Sequence, residues 1–146
     1  MRPFDPQSDD VALLAALHAA SFPDAWSVAF IRDLLDSPGV FSLVADGGFI
    51  LARVAGGEAE ILTLAVAPEE RRRGTGWALV REAASYAHRL GATMLFLEVA
   101  ADNEPALKLY VGLGFAPVGL RKAYYQGKDA QILKASLPLP NPDDFA

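Results

Sequence analysis

The sequence predicts one mixed α/β domain, an antiparallel meander leading into a parallel pair of strands flanked by helices. Three observations predict it. Turn signals at Asp46-Gly47-Gly48 and Gly56-Gly57 separate the β-type runs Val40–Asp46 and Phe49–Ala55 from the apolar run Glu60–Val66. Pro68 ends that run, apolar residues at helical spacing follow from Trp77 to Leu90, and a second apolar strand, Met94–Val99, comes next. A strand reached through a helical crossover is expected to run parallel to its predecessor. Finally, 146 residues are the length of one domain, and 52% hydrophobic content is ample for one core.

The remaining elements follow in chain order. Met1–Phe4 reads as a short strand. Asp9 or Asp10 caps a helix from Val11 to about Ala20, apolar at Leu13, Leu14 and Leu17. Phe22-Pro23-Asp24-Ala25-Trp26 is a bulky loop, either a core plug or the wall of a substrate groove. Ser27 caps a second helix ending near Asp36, closed by Ser37-Pro38-Gly39. The crossover helix starts at about Thr75 and ends at Leu90, with Gly91 suited to its C′ position. Asp102 or Asn103 caps a helix over Glu104–Leu113 with Pro105 in its first turn. Phe115–Leu120 and Ala130–Leu137 are the last strands. Residues 1–138 form the domain, and 139–146, rich in proline and aspartate, read as a frayed tail.

Composition excludes several classes. The absence of cysteine removes disulfides, thiol nucleophiles and thiolate metal sites, and suits a cytoplasmic protein. His18 and His88 both fall in helical patterns, as surface or packing residues, so no metal site is expected. A net charge of −5 argues against direct nucleic-acid binding and mildly favours a cationic partner. Met1–Asp10 is too polar for a signal peptide, and the apolar run Val11–Phe22 is too short to span a bilayer.

The bend between the central strand and its helix carries the chemistry. Arg71-Arg72-Arg73-Gly74-Thr75-Gly76-Trp77 sets three cations and two glycines at a helix N-terminus. Glycines let backbone N–H groups face outwards at the positive end of the helix dipole, a geometry that holds a diphosphate. A P-loop would need Lys-Ser/Thr after the last glycine, where Trp77-Ala78 stand. A dinucleotide site would want a small residue where Leu79 lies, although Glu98 is at the distance of a ribose-binding acid. The bland reading is a solvated basic turn capping an ordinary helix.

Two residues downstream are out of place. Glu98 puts a carboxylate in the apolar strand Met94–Val99. It is either a strand end or salt bridge with one of the arginines, or a general base tuned by partial burial. Tyr110 lies on the following helix, where an aromatic is ordinarily packing but a buried phenol needs a partner. The strand-to-helix turn is expected to bring Glu98 and Tyr110 to the same side as the bend.

Arg71-Arg72-Arg73-Gly74-Thr75-Gly76 resembles the acyl-coenzyme A signature of the GNAT superfamily of N-acetyltransferases. Leu64-Ala65-Val66-Ala67-Pro68, Leu97-Glu98-Val99, Asn103, Ala106, Leu109-Tyr110 and Gly114-Phe115 resemble its RimI-type N-terminal alanine acetyltransferases, which act on a ribosomal protein. Phe22-Pro23 with Trp26-Ser27, and Tyr124-Tyr125 with Asp129-Ala130, match the two ends of that pattern, so the resemblance covers nearly the whole chain.

The resemblance implies a GNAT-like three-layer fold and acetyl coenzyme A as cofactor. It implies that Leu64, Ala65 and Val66 hold the pantetheine and acyl carbonyl through backbone groups. Arg71, Arg72, Arg73, Gly74, Thr75, Gly76 and Trp77 would surround the pyrophosphate, and Asn103 and Tyr110 would touch the cofactor arm. Glu98 would be the base and Tyr110 the acid. Trp26, Tyr124, Tyr125 and Asp129 would line the acceptor side. The acceptor implied is a protein N-terminus, a basic ribosomal protein among the candidates, with a small amine as the alternative. A monomer or weak dimer is expected. A non-catalytic acyl-coenzyme A module is the rival of a different class. The chain departs from the pattern at Ala100 (often arginine), at Asp102 (usually a small hydroxyl residue), in the two residues between Pro23 and Trp26, and in a short Tyr125–Asp129 loop. All four departures lie on or near the acceptor side.

Overall fold

The computed structural model describes residues 1–125 and 127–141; of Tyr124 and Tyr125 it describes the backbone. The elements are β1 (Arg2–Pro3), α1 (Val11–Ser21), α2 (Val28–Leu35), β2 (Val40–Ala45), β3 (Gly48–Ala55) and β4 (Glu58–Val66), then a 3₁₀ turn at Pro68–Glu70. They continue with α3 (Thr75–Arg89), β5 (Met94–Ala100), α4 (Glu104–Gly112), β6 (Ala116–Tyr125) and β7 (Lys128–Ser136). The caps are local chemistry. Asp10 accepts from the Ala12 N–H, Ser27 from Phe30 and Asn103 from Ala106, each satisfying an orphan donor of its helix.

The seven strands form one mixed sheet in the order β1-β2-β3-β4-β5-β7-β6. Apolar residues alternate across it into two cores. One holds Val44, Phe49 and Leu51 beneath Leu14 of α1 and Ile31 of α2. The other holds Leu43, Ile50, Leu95, Leu97 and Leu133 beneath Leu79, Val80 and Ala83 of α3 and Tyr110 of α4. Helices therefore cover both faces, giving the expected three layers. Fully burying a side chain such as Leu14, Ile31 or Phe49 is worth about 1.5–3 kcal/mol, so these two clusters carry the fold.

β4 is irregular in a way that matters. Opposite β3, Leu51 pairs with Thr63 but Ala52 pairs with Ile61, so Leu62 is an extra residue, a β-bulge. One extra residue turns the following side chains to the other face. Ala59 and Ile61 lie in the α3-side core, yet Ala65 lies in the α1–α2 core, while Leu64 and Val66 pack towards α3.

The parallel pairing of β4 with β5, expected from the crossover, is present but short. Glu58, Ala59 and Glu60 pair with Met94, Leu95 and Phe96, after which β4 and β5 run on to Val66 and Ala100 without pairing with each other. A bulged strand bends and twists more strongly, which explains why they part just before the bulge. A gap opens through the sheet.

Three boundaries differ from expectation. β6 runs to Tyr125, well past Leu120, and β7 starts at Lys128, because a hairpin pairs Tyr125 with Lys128 across the segment read as a loop. The last strand, β7, also inserts between β5 and β6. Packing continues beyond residue 138. Leu139 lies against the α3-side core, and Arg81 donates to the Pro140 carbonyl at 3.1 Å. Residues 142–146 of the expected tail are outside the described part.

Candidate active site

The gap between β4 and β5 is the centre of the site. Backbone N–H and C=O groups along its edges lack the ladder partners that paired strands supply. Such an opening suits an extended ligand with amides of its own, held as an added strand would be. Leu64 and Val66 close on it from the α3 side. A Cβ placed on Gly76 would lie 3.6–3.8 Å from Leu109, Leu64 and Val66, so the first turn of α3 packs closely on this edge.

The bend follows directly. Gly74 is left-handed (φ 81°) and caps α3 without a side-chain hydrogen bond, leaving the first N–H groups of the helix for another acceptor. A Cβ at Gly74 would meet nothing within 4 Å, so its outer side is open. Arg72, two residues earlier, is also left-handed (φ 66°), which an arginine adopts only at a cost of about 1–3 kcal/mol. Alternating handedness turns successive N–H groups to one side and forms an anion-binding concavity.

The three arginines differ in their surroundings. Arg71 Nε donates to the Val66 carbonyl at 3.1 Å, tying the bend to the end of β4. Arg73 stands 3.7 Å from Glu70. Arg72 is exposed and has no ion-pair partner among the described residues. Thr75 and Trp77 are half-buried, Trp77 lying 3.5 Å from where a Cβ on Gly112 of α4 would sit. Bend, gap and apolar edge together fit a ligand with a diphosphate at one end and an amide-bearing arm at the other.

Glu98 and Tyr110 are not on one side of the sheet. Tyr110 is 6% exposed in the α3-side core, its ring edge-on to Phe115 at 5.5 Å. Leu97 and Val99 belong to the same core, so the β-pleat turns Glu98 between them to the opposite face. The expectation of a shared side is thus corrected. The two lie on opposite faces of the sheet beside the edge where β4 and β5 part. Among the described residues, the α1–α2 core takes side chains from β2, β3 and β4 and none from β5 or β7.

Sequence reasoning missed the partner of Glu98. Arg121 Nη2 of β6 lies 2.6 Å from Glu98 Oε1, with side-chain exposures of 51% and 18%. A salt bridge was anticipated for this residue, but with the arginines of the bend. The actual partner is brought close by β7 pairing between β5 and β6, which sequence spacing does not announce.

Other expected ligand residues have structural employment. Asn103 caps α4, its Oδ1 accepting from Ala106 at 3.3 Å. Asp129, expected in a loop, lies in β7 and accepts from the N–H of Ala123, a residue in the left-handed region (φ 55°). It braces the irregular turn of β6. Lys128 holds the Asp102 carboxyl below its ordinary range through a 2.7 Å hydrogen-bonded ion pair. Trp26 packs against the α1–α2 core. The side chains of Tyr124 and Tyr125 lie outside the described part. Among the described residues no cluster of potential ligands could hold a metal ion, and no helix is long and apolar enough to cross a membrane.

Comparison with known proteins agrees with this geometry. The profile of the Acetyltransferase (GNAT) family matches residues 11–115. A putative [ribosomal protein bS18]-alanine N-acetyltransferase of Bacillus subtilis is 34% identical over 133 residues, 86% of this chain and 88% of that protein. The N-alpha-acetyltransferase RimI of Mycobacterium tuberculosis is 34% identical over 138 residues, 86% and 85% of the two chains. Among solved structures, the ribosomal-protein-S18-alanine N-acetyltransferase of Escherichia coli superposes with a TM-score of 0.82 at 26% identity, over 95% of this chain and 94% of its own. With this fold, this bend and these relatives, the chain belongs to the GNAT family of acetyl coenzyme A-dependent N-acetyltransferases.

Proposed function

We propose that this enzyme acetylates the α-amine of a protein N-terminus, an alanine-starting ribosomal protein being the first candidate. The observation that carries the reading is the sheet gap, with the anion-binding bend and Tyr110 on one face and Glu98 on the other. Cofactor and amine then enter from opposite faces and meet without crossing. The relatives named for the bS18 N-terminal alanine support the acceptor class.

The cofactor supplies an activated acyl group and a thiolate as leaving group. Gly74, Gly76 and the uncapped start of α3 would take the diphosphate, joined by the guanidinium of Arg72. The backbone of Leu64, Ala65 and Val66 would hold the arm and offer an N–H to the charge that develops on the acyl oxygen. Glu98 would accept the amine proton at its carboxylate, directly or through one water. The Tyr110 hydroxyl would give a proton to the departing sulfur. Holding both partners in one opening supplies much of the rate gain by positioning alone.

An α-amine suits one modest base. Its pKa of about 7.7–8.0 leaves roughly a tenth uncharged near neutral pH, against under a thousandth of lysine side chains. The domain assignment of residues 1–138 extends in this reading to residue 140, where Arg81 holds the chain.

The test is thiol release from acetyl coenzyme A across alanine-, serine- and methionine-start peptides, lysine peptides and polyamines. Preference for the alanine-start peptide is expected. Preference for polyamines would replace the reading with a small-amine acetyltransferase, and tight cofactor binding with no thiol release for any amine offered would leave a non-catalytic binding module.

A further inference from the structure

We propose that His18 is a positioning residue for the amine acceptor, holding the α1–α2 loop as the wall of the groove through one hydrogen bond and one ring stack. The inference rests on the reading above, that the Glu98 face receives the amine.

His18 lies in the last turn of α1 and is 3% exposed. The backbone N–H of Trp26, at the far end of the loop, donates to its Nδ1 at 3.1 Å. That bond requires Nδ1 to be an acceptor, so the ring is neutral with its proton on Nε2. The imidazole also stacks on Trp26 (centroids 4.6 Å apart, 17° between planes) and tilts against Phe22 at 4.5 Å. Phe30 of α2 meets Trp26 edge-on at 5.0 Å. Four rings thus form a column, Phe22–His18–Trp26–Phe30, whose outer members are well exposed, Phe22 at 38% and Phe30 at 45%.

The loop is also placed at the gap. Ser21, from which it departs, has its hydroxyl 3.3 Å from the carbonyl of Val66 at the end of β4. Ordering a loop of this kind opposes backbone entropy of roughly 1–2 kcal/mol per residue. A flat ring with an acceptor at Nδ1 meets both needs at once. Phenylalanine would keep the stack without the acceptor. Asparagine would keep an acceptor near the Nδ1 position without the stack, and glutamine would carry its acceptor too far along.

The experiment compares the full chain with His18→Phe, His18→Asn and His18→Gln. Two readouts are taken: hydrogen exchange at the Trp26 amide, and the kinetic constants for acceptor peptide and acetyl coenzyme A separately. His18→Phe is expected to speed Trp26 exchange about tenfold, the scale of one lost hydrogen bond, and to raise the acceptor KM by a similar factor. Its kcat and its KM for acetyl coenzyme A should stay within about twofold. His18→Asn should restore Trp26 protection and most of the acceptor KM, which a purely structural role would not predict. Should His18→Phe not fold, His18→Gln supplies the same contrast with His18→Asn.

Unchanged acceptor KM in His18→Phe, or equal losses in kcat and in both KM values, would overturn the proposal. If no amine is acetylated by the wild type, the acceptor reading fails by itself. The Trp26 exchange contrast still decides whether His18 holds the loop, and its absence would overturn the tether regardless of turnover.

Discussion

Burying an imidazole favours its neutral form, and His18 is accordingly pushed below its ordinary value of 6.5. In the unfolded chain the same ring titrates near 6.5, so between the two values the unfolded state binds more protons and stability rises with pH. This contribution should be complete above about pH 6.5 and be lost as pH falls through the depressed folded value. Urea midpoints on either side of that pH should show the loss in wild type and a flatter profile in His18→Asn. Asp9 and Asp102 are also held low, by Arg2 and Lys128, but as carboxylates they act in a more acidic window. In the proton-transfer roles proposed for them, Glu98→Gln and Tyr110→Phe should each lower kcat by about 10²–10⁴ while coenzyme A binding survives. Near-normal turnover in both would remove the proton-transfer assignment. Both residues were legible because their types clash with their surroundings, a carboxylate in an apolar strand and a phenol on a packed helix. Arg121 and His18 were not, because the groups they touch are brought to them across strands or across a loop.

At the level of elements, the bend shows how a strained turn serves a site. Gly74 takes a left-handed φ that costs a residue with a Cβ about 1 kcal/mol, although open space surrounds it. Gly74→Ala should therefore destabilise by about that amount and weaken coenzyme A binding, as calorimetry of the variant would read. Asn103→Ala should cost about 0.5–2 kcal/mol through the lost cap of α4. Asn103→Ser keeps a cap, so any loss of coenzyme A affinity that persists there belongs to a ligand contact and not to helix stability. Helices α1 to α4 were legible nearly to the residue because caps, prolines and glycines punctuate them. The β6–β7 hairpin was not. Its extent depends on pairing braced by Asp129 against Ala123, and that pairing has no local signature.

For the whole molecule, a ligand that binds only the folded state should stabilise it by mass action. Coenzyme A at a hundredfold excess over Kd should add about 2.7 kcal/mol. At roughly 2–4 °C per kcal/mol, the melting temperature should rise by about 5–10 °C, while NAD should leave it unchanged. A scan with each ligand distinguishes the two, and a shift with NAD would reopen the dinucleotide reading.

By itself the sequence determined a mixed α/β domain and the arginine–glycine bend at the start of α3, and it singled out Glu98 and Tyr110 as candidates, because periodicity, turn chemistry and misplaced polarity are local properties. Tertiary structure alone decided that these two residues sit on opposite faces of the sheet. The pleat of β5 sets the faces, and the extra residue at Leu62 accompanies the parting of β4 from β5. Burial along β4 alternates as in a regular strand, yet the bulge swaps which face each side chain meets, and the strand then parts from β5. A one-residue slip leaves no mark on a hydrophobic pattern of period two; it is defined only against the neighbouring strand.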